Sequence, residues 1–510
     1  MQSKFPINIA DINSNTHRSA NPVGLGWFFH FAFPTCPSTS NSLSTCMKTA
    51  RQRFSLFASV LALFLALPAG VWAGQSSGDA NTAPSSSSTS WYQSLLSADH
   101  LLGDIPGRQQ LADSNGITFN GQLINDMLWN TVGGNSPGGS DVGVLQFGFD
   151  ADTQKLIGLK GGTFHTSWLW IYGRNPSAYA GDALGVSGIA ANPAFRCYEM
   201  WYEQAFFDDV FKVRGGLLAV DQEFMLSTTD SLFVNASLGL ADIATFNLAN
   251  SGAQYPMATP GIRFELNPTG WMTLRSVFSQ ANPFSQQQNP HNFNWNFGLS
   301  GGLLTINEVA VNWKNLLSSG LPGTAKAGFW IQNGPSPTLP QNFSYCAPSN
   351  VQYSTGFYGI LDQNIYRPNS PSRNIAPLHH WGESLLPEAT IGAPQGLNFA
   401  NRIGFCPQPD NAMSFQLDSG LVYTGLLPGR KADRCGVAFI YGQMSSGYRT
   451  LASQQGFPDP SYEAVAELTY CIQLTPSVTL QPDLQYVVHP GGTQANSNAL
   501  VAGFRATVNF

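Results

Sequence analysis

Charged residues are scarce in this 510-residue chain, at 11% of the total, about half the share in an ordinary soluble protein. Long apolar runs are scarce too, because only residues 54–67 approach the roughly 20 apolar residues that a membrane-spanning helix needs. Mean hydropathy is nevertheless close to zero, at −0.08. Together these deficits exclude a helical membrane protein and indicate that apolar side chains are dispersed along the chain by alternation.

The sequence also has few of the groupings that catalysis or metal binding requires. No Cys-x-x-Cys pair occurs among its seven cysteines, and there are only eight histidines. No phosphate-binding loop of the G-x-x-x-x-G-K-S/T type is present. We therefore expect no cofactor and no metal, and we do not expect an enzyme.

The one apolar run has the features of a secretion signal, with Lys48, Arg51 and Arg53 before it and a small-x-small cleavage site at residues 71–73. We interpret residues 47–73 as a signal peptide that starts at Met47. Residues 1–46 are then a spurious or disordered extension, and residues 74–90 are a Ser/Gly-rich linker. Loss of residues 1–73 would leave 19 basic and 29 acidic side chains, a formal net charge of −10, which argues against nucleic acid as a partner.

Alternation is clearest near the C-terminus. In the last segment apolar and polar side chains alternate strictly: Phe504, Ala506, Val508 and Phe510 against Arg505, Thr507 and Asn509. Residues 462–475 and 478–488 follow the same pattern, which gives an extended strand one apolar and one polar face. Any antiparallel sheet with one wet side shows this alternation. The terminal aromatic residue favours a closed membrane barrel over the alternative, a soluble β-sandwich.

Strand-length segments of this kind continue from Ile117 to the end, separated by short stretches rich in Gly, Pro, Asn and Asp. No long helix is expected after residue 113, and residues 91–116 should form a short periplasmic helical or turn segment. Residues 335–350 and 367–396 should be surface loops or a loop folded into the pore. The predicted fold of residues 117–510 is all-β: a transmembrane antiparallel β-barrel of the outer-membrane type, with about 16 strands and possibly 18.

Side chains between the lipid-facing positions would line the lumen. Around one strand the alternation puts Glu199, Trp201 and Glu203 inside and Tyr198, Met200 and Tyr202 outside. By the same reasoning the lumen holds Lys212, Arg214, Arg263, Glu265, Lys326 and Trp330. Guanidinium and carboxylate groups can hydrogen-bond sugar hydroxyls, and a ring can cover the apolar face of a pyranose. The alternative, equally open, is that the charges only stabilise a polar interior as ion pairs.

Eight segments carry a family resemblance in order: KLIGLKGGTFHTSWLWIYGR (155–174), YEMWYEQAFF (198–207), GLLAVDQEF (216–224), LFVNASLGL (232–240), YPMATPGIRF (255–264), GFYGILDQNIYR (356–367), DSGLVYTGLLPGR (418–430) and ELTYCIQLTPSVTLQPDLQYVVHPGG (467–492). They resemble the carbohydrate-selective porins of the OprB family from about residue 100 to the end. At residues 101–118 the chain departs from the family, because Ile105 and Pro106 replace its usual Trp-Gly pair. The resemblance implies a closed outer-membrane barrel, usually of sixteen strands, that passes small sugars by diffusion.

The resemblance also implies a set of pore-lining, substrate-binding residues. Twelve positions match those where the family keeps polar or aromatic side chains: Glu199, Trp201, Glu203, Arg214, Asp221, Glu223, Arg263, Asp362, Gln363, Arg402, Asp483 and Gln485. The single sequence does not select which of them form the constriction.

Five cysteines follow the predicted signal: Cys197, Cys346, Cys406, Cys435 and Cys471. If Met444 pairs with Tyr462 in a hairpin, Cys435 lies directly opposite Cys471, near disulfide range. We treat this disulfide as a hypothesis, and two unbonded thiols are the alternative. Cys346 and Cys406 could pair as a loop staple, which would leave Cys197 free.

The expected function is therefore passive, carbohydrate-selective diffusion of small sugars across the outer membrane of a Gram-negative bacterium. The alternatives are a non-selective diffusion porin and, less favoured, an outer-membrane barrel enzyme or a secreted lectin. The expected partners are monosaccharides or similar sugars, outer-membrane lipid, and the barrel assembly machinery, which would recognise the strand ending at Phe510. Whether the barrel forms a homo-oligomer stays open.

Overall fold

Sixteen strands form one closed antiparallel barrel in the computed structural model, with each strand paired to its sequence neighbours and β1 paired to β16. The structure describes residues 101, 107–295, 302–314, 320–336, 351–368, 395–407, 411–456 and 458–510. The chain divides into two compact units, Met1–Ala83 and Pro84–Phe510, and every described residue belongs to the second. The predicted extension, signal and linker lie outside the described residues, as do Cys346 and most of the two predicted long loops.

The strands are β1 (Ile117–Val132), β2 (Gly138–Asp152), β3 (Gly162–Gly173), β4 (Ala194–Phe206), β5 (Phe211–Leu218), β6 (Thr259–Thr269), β7 (Met272–Gln280), β8 (Leu303–Trp313), β9 (Gly323–Ser336), β10 (Val351–Tyr366), β11 (Gly396–Phe405), β12 (Met413–Thr424), β13 (Arg434–Met444), β14 (Tyr462–Thr475), β15 (Val478–Val488) and β16 (Ala499–Asn509). The α-helices are α1 (Arg108–Gln110), α2 (Thr153–Ile157), α3 (Ser177–Ala180), α4 (Asp242–Asn247) and α5 (Ser446–Gln454). A π-helix spans Leu111–Asn115, and 3₁₀ helices span Val220–Gln222, Asp230–Leu232, Ala236–Leu238, Ala249–Ser251 and Pro490–Gly492. Among the residues just described, no helix is both long and apolar enough to cross a membrane.

The predicted fold class is confirmed, and alternation is its physical cause. Leu468 and Leu484 are among the exposed apolar side chains of the outer face, whereas Glu467, Gln485 and Arg505 are buried inside. The nine-residue helix α5 was not predicted. It begins where the side chain of Ser445 accepts a hydrogen bond from the Tyr448 N–H, a common helix cap.

A bulge in β4 corrects the predicted position of Tyr198. Ser167 pairs with Glu199 but the next residue, Trp168, pairs with Cys197, so Tyr198 is the extra residue of the strand. Its side chain is fully buried, and its hydroxyl donates to Asp221 in the connection between β5 and β6. Tyr198 therefore faces inward, because a single extra residue reverses the alternation at that point.

The hypothetical disulfide between Cys435 and Cys471 is wrong. Gln443 pairs with Tyr462, one residue from the expected register, so Cys435 lies opposite Tyr470 and Cys471 lies opposite Arg434. A shift of one residue places the two cysteines on opposite faces of the wall. Cys471 is buried and Cys435 is half-buried, and both are free thiols, as is Cys197.

The connection between β5 and β6, residues 219–258, folds into the barrel, and we call it the inner loop. Its Phe224, Phe233 and Ile243 belong to one buried apolar cluster with Trp330 and Ile440 of the wall. Residues 174–193, between β3 and β4, add Leu184 and Val186 to the same cluster. Part of the lumen is thus filled by packed apolar side chains, which the burial of hydrophobic surface stabilises.

Three glycines on adjacent strands allow the inner loop to approach the wall. A Cβ added at Gly404 would lie 2.6 Å from Ile243 Cγ2, and one at Gly436 would lie 2.8 Å from Phe233 Cζ. At Gly420 an added Cβ would lie 3.0 Å from Phe233 Cε2. We call these three glycines the glycine strip. Because they have no side chains, they leave a flat surface on the wall against which the inner loop can pack closely.

Candidate functional site

Acidic and basic side chains of four consecutive strands meet in the lumen. Antiparallel register puts Glu203 of β4 opposite Arg214 of β5, which in turn lies opposite Arg263 of β6. One step further along, Lys212 lies opposite Glu265, and Glu265 lies opposite Arg275 of β7. We define the charged strip as these six residues together with Glu308 of β8 and Glu223 of the inner loop.

Arg263 connects the wall to the inner loop. Its Nε donates to Glu223 Oε2 at 2.8 Å, and its guanidinium Nη2 lies 2.6 Å from Glu223 Oε1 and 2.6 Å from Glu203 Oε2. The bidentate pair fixes both groups in one plane. Because the exposed fraction of the Arg263 side chain is only 2%, its role is to position the inner loop beside the strip.

Glu223 stays ionised in this setting. Burial opposes its charge, but Arg214, Arg263 and Arg275 outweigh that effect and lower the pKa of Glu223 to about 2. The carboxylate therefore remains an acceptor at any pH where the protein would work.

The ring of Trp201 is buried, with an exposed fraction of 5%. The Arg214 guanidinium carbon lies 3.7 Å from the centre of the ring, and the His165 ring stacks on Trp201 at a centroid distance of 4.7 Å. His165 is itself held by Asp150, 2.7 Å from its Nδ1. The geometry does not support the predicted use of Trp201 as a platform for a sugar, since the ring is buried.

Within the charged strip, the cations most open to a passing solute are Lys212 and Arg275. The exposed fractions of their side chains are 25% and 24%, compared with 10% for Arg214. Arg275 was missed in the sequence, although it shares a strand face with Thr273 and opposes the apolar Leu274. Its Nε donates to Glu265 at 2.8 Å, a partner that only the register of β6 and β7 brings near.

Several other predicted site residues hold loop backbone and do not line open space. Glu199 accepts a hydrogen bond from the Ala219 N–H at 2.9 Å. Asp362 accepts from the Thr229 N–H at 3.1 Å and from the Ser227 hydroxyl. Asp221, inside the inner loop, accepts from the Tyr255 N–H and from Tyr198. Burial of Asp221 raises its pKa to about 6.

Arg402 makes the densest of these contacts. Its guanidinium pairs with Asp418 and also donates to the carbonyl oxygens of Met225, Ser237 and Gly239 in the inner loop. Arg402 has an exposed fraction of 1%. It therefore positions the inner loop and does not contact a solute in the lumen.

The remaining predicted residues lie apart from the charged strip. Gln485 donates to the Val186 carbonyl and to Asp483, and it accepts from the Asn235 amide. Gln363 accepts from the Trp313 indole N–H at 3.0 Å. The structure thus brings together Glu203, Arg214, Glu223, Arg263 and Trp201, and places the others elsewhere on the wall or, for Asp221, in the inner loop.

Two acidic residues of β14 were not among the predicted site residues. Glu463 accepts hydrogen bonds from the N–H groups of Ala183, Leu184 and Gly491, and Glu467 accepts from those of Val234 and Asn235. Their place on the polar face of the strand was readable from alternation. Most of their loop partners were not, because all of them except Gly491 lie more than 200 positions away in the sequence.

The charged strip carries no net charge. Four cations (Lys212, Arg214, Arg263 and Arg275) match four carboxylates (Glu203, Glu223, Glu265 and Glu308), and the farthest ion-pair separation among the pairs is 4.0 Å. Within the described part of the chain no cluster of three or more His, Cys, Asp or Glu side chains has the geometry of a metal site. The strip therefore offers hydrogen-bond donors and acceptors in a fixed, balanced arrangement.

Comparison with known proteins identifies the type of barrel. The sequence model described as "Carbohydrate-selective porin, OprB family" matches residues 136–510, more than half of the chain. Porin B of Pseudomonas aeruginosa is 21% identical over 446 residues, which cover 80% of this chain and 91% of that protein. The protein named putative porin QuiX, from Acinetobacter baylyi, is 22% identical over 430 residues, covering 80% of this chain and 93% of its own.

A solved structure supports the same architecture. The high-pH structure of Pseudomonas putida OprB superimposes with a TM-score of 0.67, at 21% sequence identity, and covers 81% of this chain and 99% of that chain. At this identity the likeness supports the barrel fold.

Proposed function

Because the chain belongs to the carbohydrate-selective porin family, OprB, we propose that small neutral sugars diffuse downhill past the charged strip of its lumen. The protein is an outer-membrane porin of the β-barrel type. The observation that carries the finer proposal is the ladder of paired charges across β4, β5, β6 and β7, which faces the inner loop at Glu223.

A charge-balanced strip suits a solute that has many hydroxyl groups and no charge. Guanidinium and ammonium groups donate to the hydroxyl oxygens of a sugar, and carboxylates accept from its hydroxyl protons. A balanced strip creates little net potential, so it gives neither anions nor cations a strong advantage. A non-selective diffusion porin, the alternative, would not need donors and acceptors held at fixed spacing.

Among the predicted pore-lining residues we assign solute contact to Glu203, Glu223 and the 10% of the Arg214 side chain that is exposed, together with Lys212 and Arg275. We assign Glu199, Arg263, Asp362, Arg402 and Gln485 to the support of the inner loop. The contacts described above support both assignments, because the polar atoms of the second group meet loop backbone or other anchoring side chains and all of its members except Asp362 are buried.

The remaining expectations concern partners. We propose outer-membrane lipid around the exposed apolar face, insertion by the barrel assembly machinery acting on β16, and no catalytic activity. The outer face supports the first of these, since Leu468, Phe439 and Val437 are exposed on neighbouring strands.

Liposome swelling with a series of solutes tests the proposed function. Vesicles that contain the protein should swell faster with monosaccharides than with charged solutes of the same size, and without ATP or an ion gradient. Equal rates for neutral and charged solutes would indicate the non-selective porin. A strict need for an energy source would contradict diffusion.

Removing the two exposed cations should reduce sugar selectivity while the barrel stays intact. The double variant Lys212→Gln/Arg275→Gln leaves the strip with an excess of carboxylates, so we expect the preference for a monosaccharide over a cation of similar size to fall several-fold. The ratio of the two permeabilities, measured by swelling and by reversal potential, is the readout. Lys160→Gln, at an exposed turn, is the matched control; an unchanged ratio in the double variant would contradict our assignment.

A further inference from the structure

One carboxyl group between the inner loop and the wall has no partner. Asp230 begins the 3₁₀ helix Asp230–Leu232 and has an exposed fraction of 0%. Its backbone N–H donates to the Ser227 hydroxyl, but neither of its carboxyl oxygens accepts a hydrogen bond from any described residue. A buried carboxylate without donors is unfavourable, because the charged group loses its hydrogen bonds to water and gains none from the protein.

The charged groups that face Asp230 do not compensate for this. Asp362 of β10 and Asp418 of β12 add negative charge, and Arg402 of β11 is the opposing cation. All five N–H groups of Arg402 already have acceptors. Two of them point to Asp418, and the other three donate to the carbonyl oxygens of Met225, Gly239 and Ser237. No donor of Arg402 is left for Asp230.

The two neighbouring acids, in contrast, have hydrogen-bond donors, although Asp418 uses only its Oδ2. Asp362 accepts from Ser227 and Thr229, and Asp418 accepts from Arg402 and Gln416. In the same loop Asp242 of α4 accepts from the Ser237 hydroxyl, and burial raises the pKa of Asp242 well above its usual value. Among these described acids, Asp230 is therefore the one in which neither carboxyl oxygen accepts a hydrogen bond.

We propose that Asp230 is a proton-operated latch: its neutral carboxyl lets the inner loop dock on the barrel wall, and its ionisation loosens the loop. The latch acts at the glycine strip, because the Asp230 carboxyl lies against Gly420, where even a Cβ would not fit. A charged carboxylate cannot turn toward water there without moving the 3₁₀ helix. Loosening would begin at Phe233, which packs on the same strip.

The direction of the pH effect follows from the same environment. Burial first, and the charges of Asp362 and Asp418 second, raise the pKa of Asp230 from 3.8 to about 7, against the influence of Arg402. A carboxyl group whose pKa is raised by docking favours the docked loop most below pH 4, and this advantage is lost as the pH rises to 7. The docking constant should fall up to about 100-fold between pH 5 and pH 8.

Hydrogen exchange of the intact protein in detergent micelles tests the latch without reference to sugar transport. The reporters are the N–H groups of Val234, Ile243 and Ala249, which the wall holds through Glu467, Gln416 and Gln332. Their protection, corrected for intrinsic exchange, should decrease up to about 100-fold from pH 5 to pH 8 in the wild type. In Asp230→Asn, most of this decrease in protection between pH 5 and pH 8 should disappear.

Asp459→Asn is the matched control, because Asp459 is an exposed partner of Arg449 in the β13–β14 connection. It should keep the wild-type slope. If Asp230→Asn folds poorly, Asp230→Ser provides the second neutral variant. The proposal would be overturned if protection in the wild type did not change with pH, or if it changed equally in the wild type and in the neutral variants. It would also be overturned if the neutral variants lost the same amount of protection at every pH, since that is an effect of packing alone.

Discussion

Replacing Arg402 by methionine should detach the inner loop and raise the single-channel conductance several-fold. Methionine keeps much of the side-chain length but leaves the carbonyl oxygens of Met225, Ser237 and Gly239 without donors. It also leaves Asp418 buried without its cation, which costs about 3–5 kcal/mol. A detached loop no longer narrows the lumen, so larger solutes should enter and sugar selectivity should decline.

Conductance in planar bilayers, together with swelling rates for a monosaccharide and a trisaccharide, measures this effect. Arg449→Met is the control, because Arg449 lies on α5 and pairs with the exposed Asp459. The control should conduct as the wild type does. If Arg402→Met kept both the wild-type conductance and the wild-type size limit, Arg402 would not be the residue that holds the loop in place.

Substitution of Gly503 by alanine should destabilise the closed barrel by at least about 3 kcal/mol, the upper end of overpacking costs. Gly503 lies on β16 opposite Leu128 of β1, at the seam that closes the barrel. A Cβ at this position would overlap the carbonyl oxygen of Met127 and lie 2.9 Å from Leu128 Cα. Both are backbone atoms, so the clash cannot be relieved by a change of rotamer.

Urea unfolding in detergent micelles, followed by circular dichroism, measures the loss through the midpoint concentration. Gly270→Ala is the matched control, since an added Cβ at this turn glycine meets no atom within 4 Å. The control should unfold at the wild-type midpoint. A Gly503→Ala midpoint equal to that of the wild type would mean that the seam can spread to accept the methyl group.

Alternation predicted the barrel because the physical constraint is local. Each strand must present apolar side chains to lipid and polar ones to the interior, so a period of two is written into the sequence of every strand. The same reasoning correctly placed Glu203, Arg214 and Arg263 inside the lumen. It placed Tyr198 on the wrong face, because the bulge in β4 depends on how β3 and β4 pair and leaves no mark in the pattern.

The disulfide hypothesis failed for a related reason. A hairpin register depends on the connection between its strands, and here α5 occupies that connection. Choosing Met444 opposite Tyr462 was an error of one residue, since Gln443 takes that place. Because side chains alternate, an error of one residue moves Cys435 to the face opposite Cys471.

Strand periodicity and family resemblance were sufficient for the architecture, the exposed apolar face and the inward direction of most charges, because these depend on neighbours within one strand. The role of each inward-facing charged side chain, by contrast, depends on contacts between residues far apart in the chain. Whether Arg263, Arg402 or Glu467 meets a solute or a loop depends on where residues 219–258 lie in the lumen. That position results from packing against the glycine strip and from buried hydrogen bonds, both of which exist only once sixteen strands have closed.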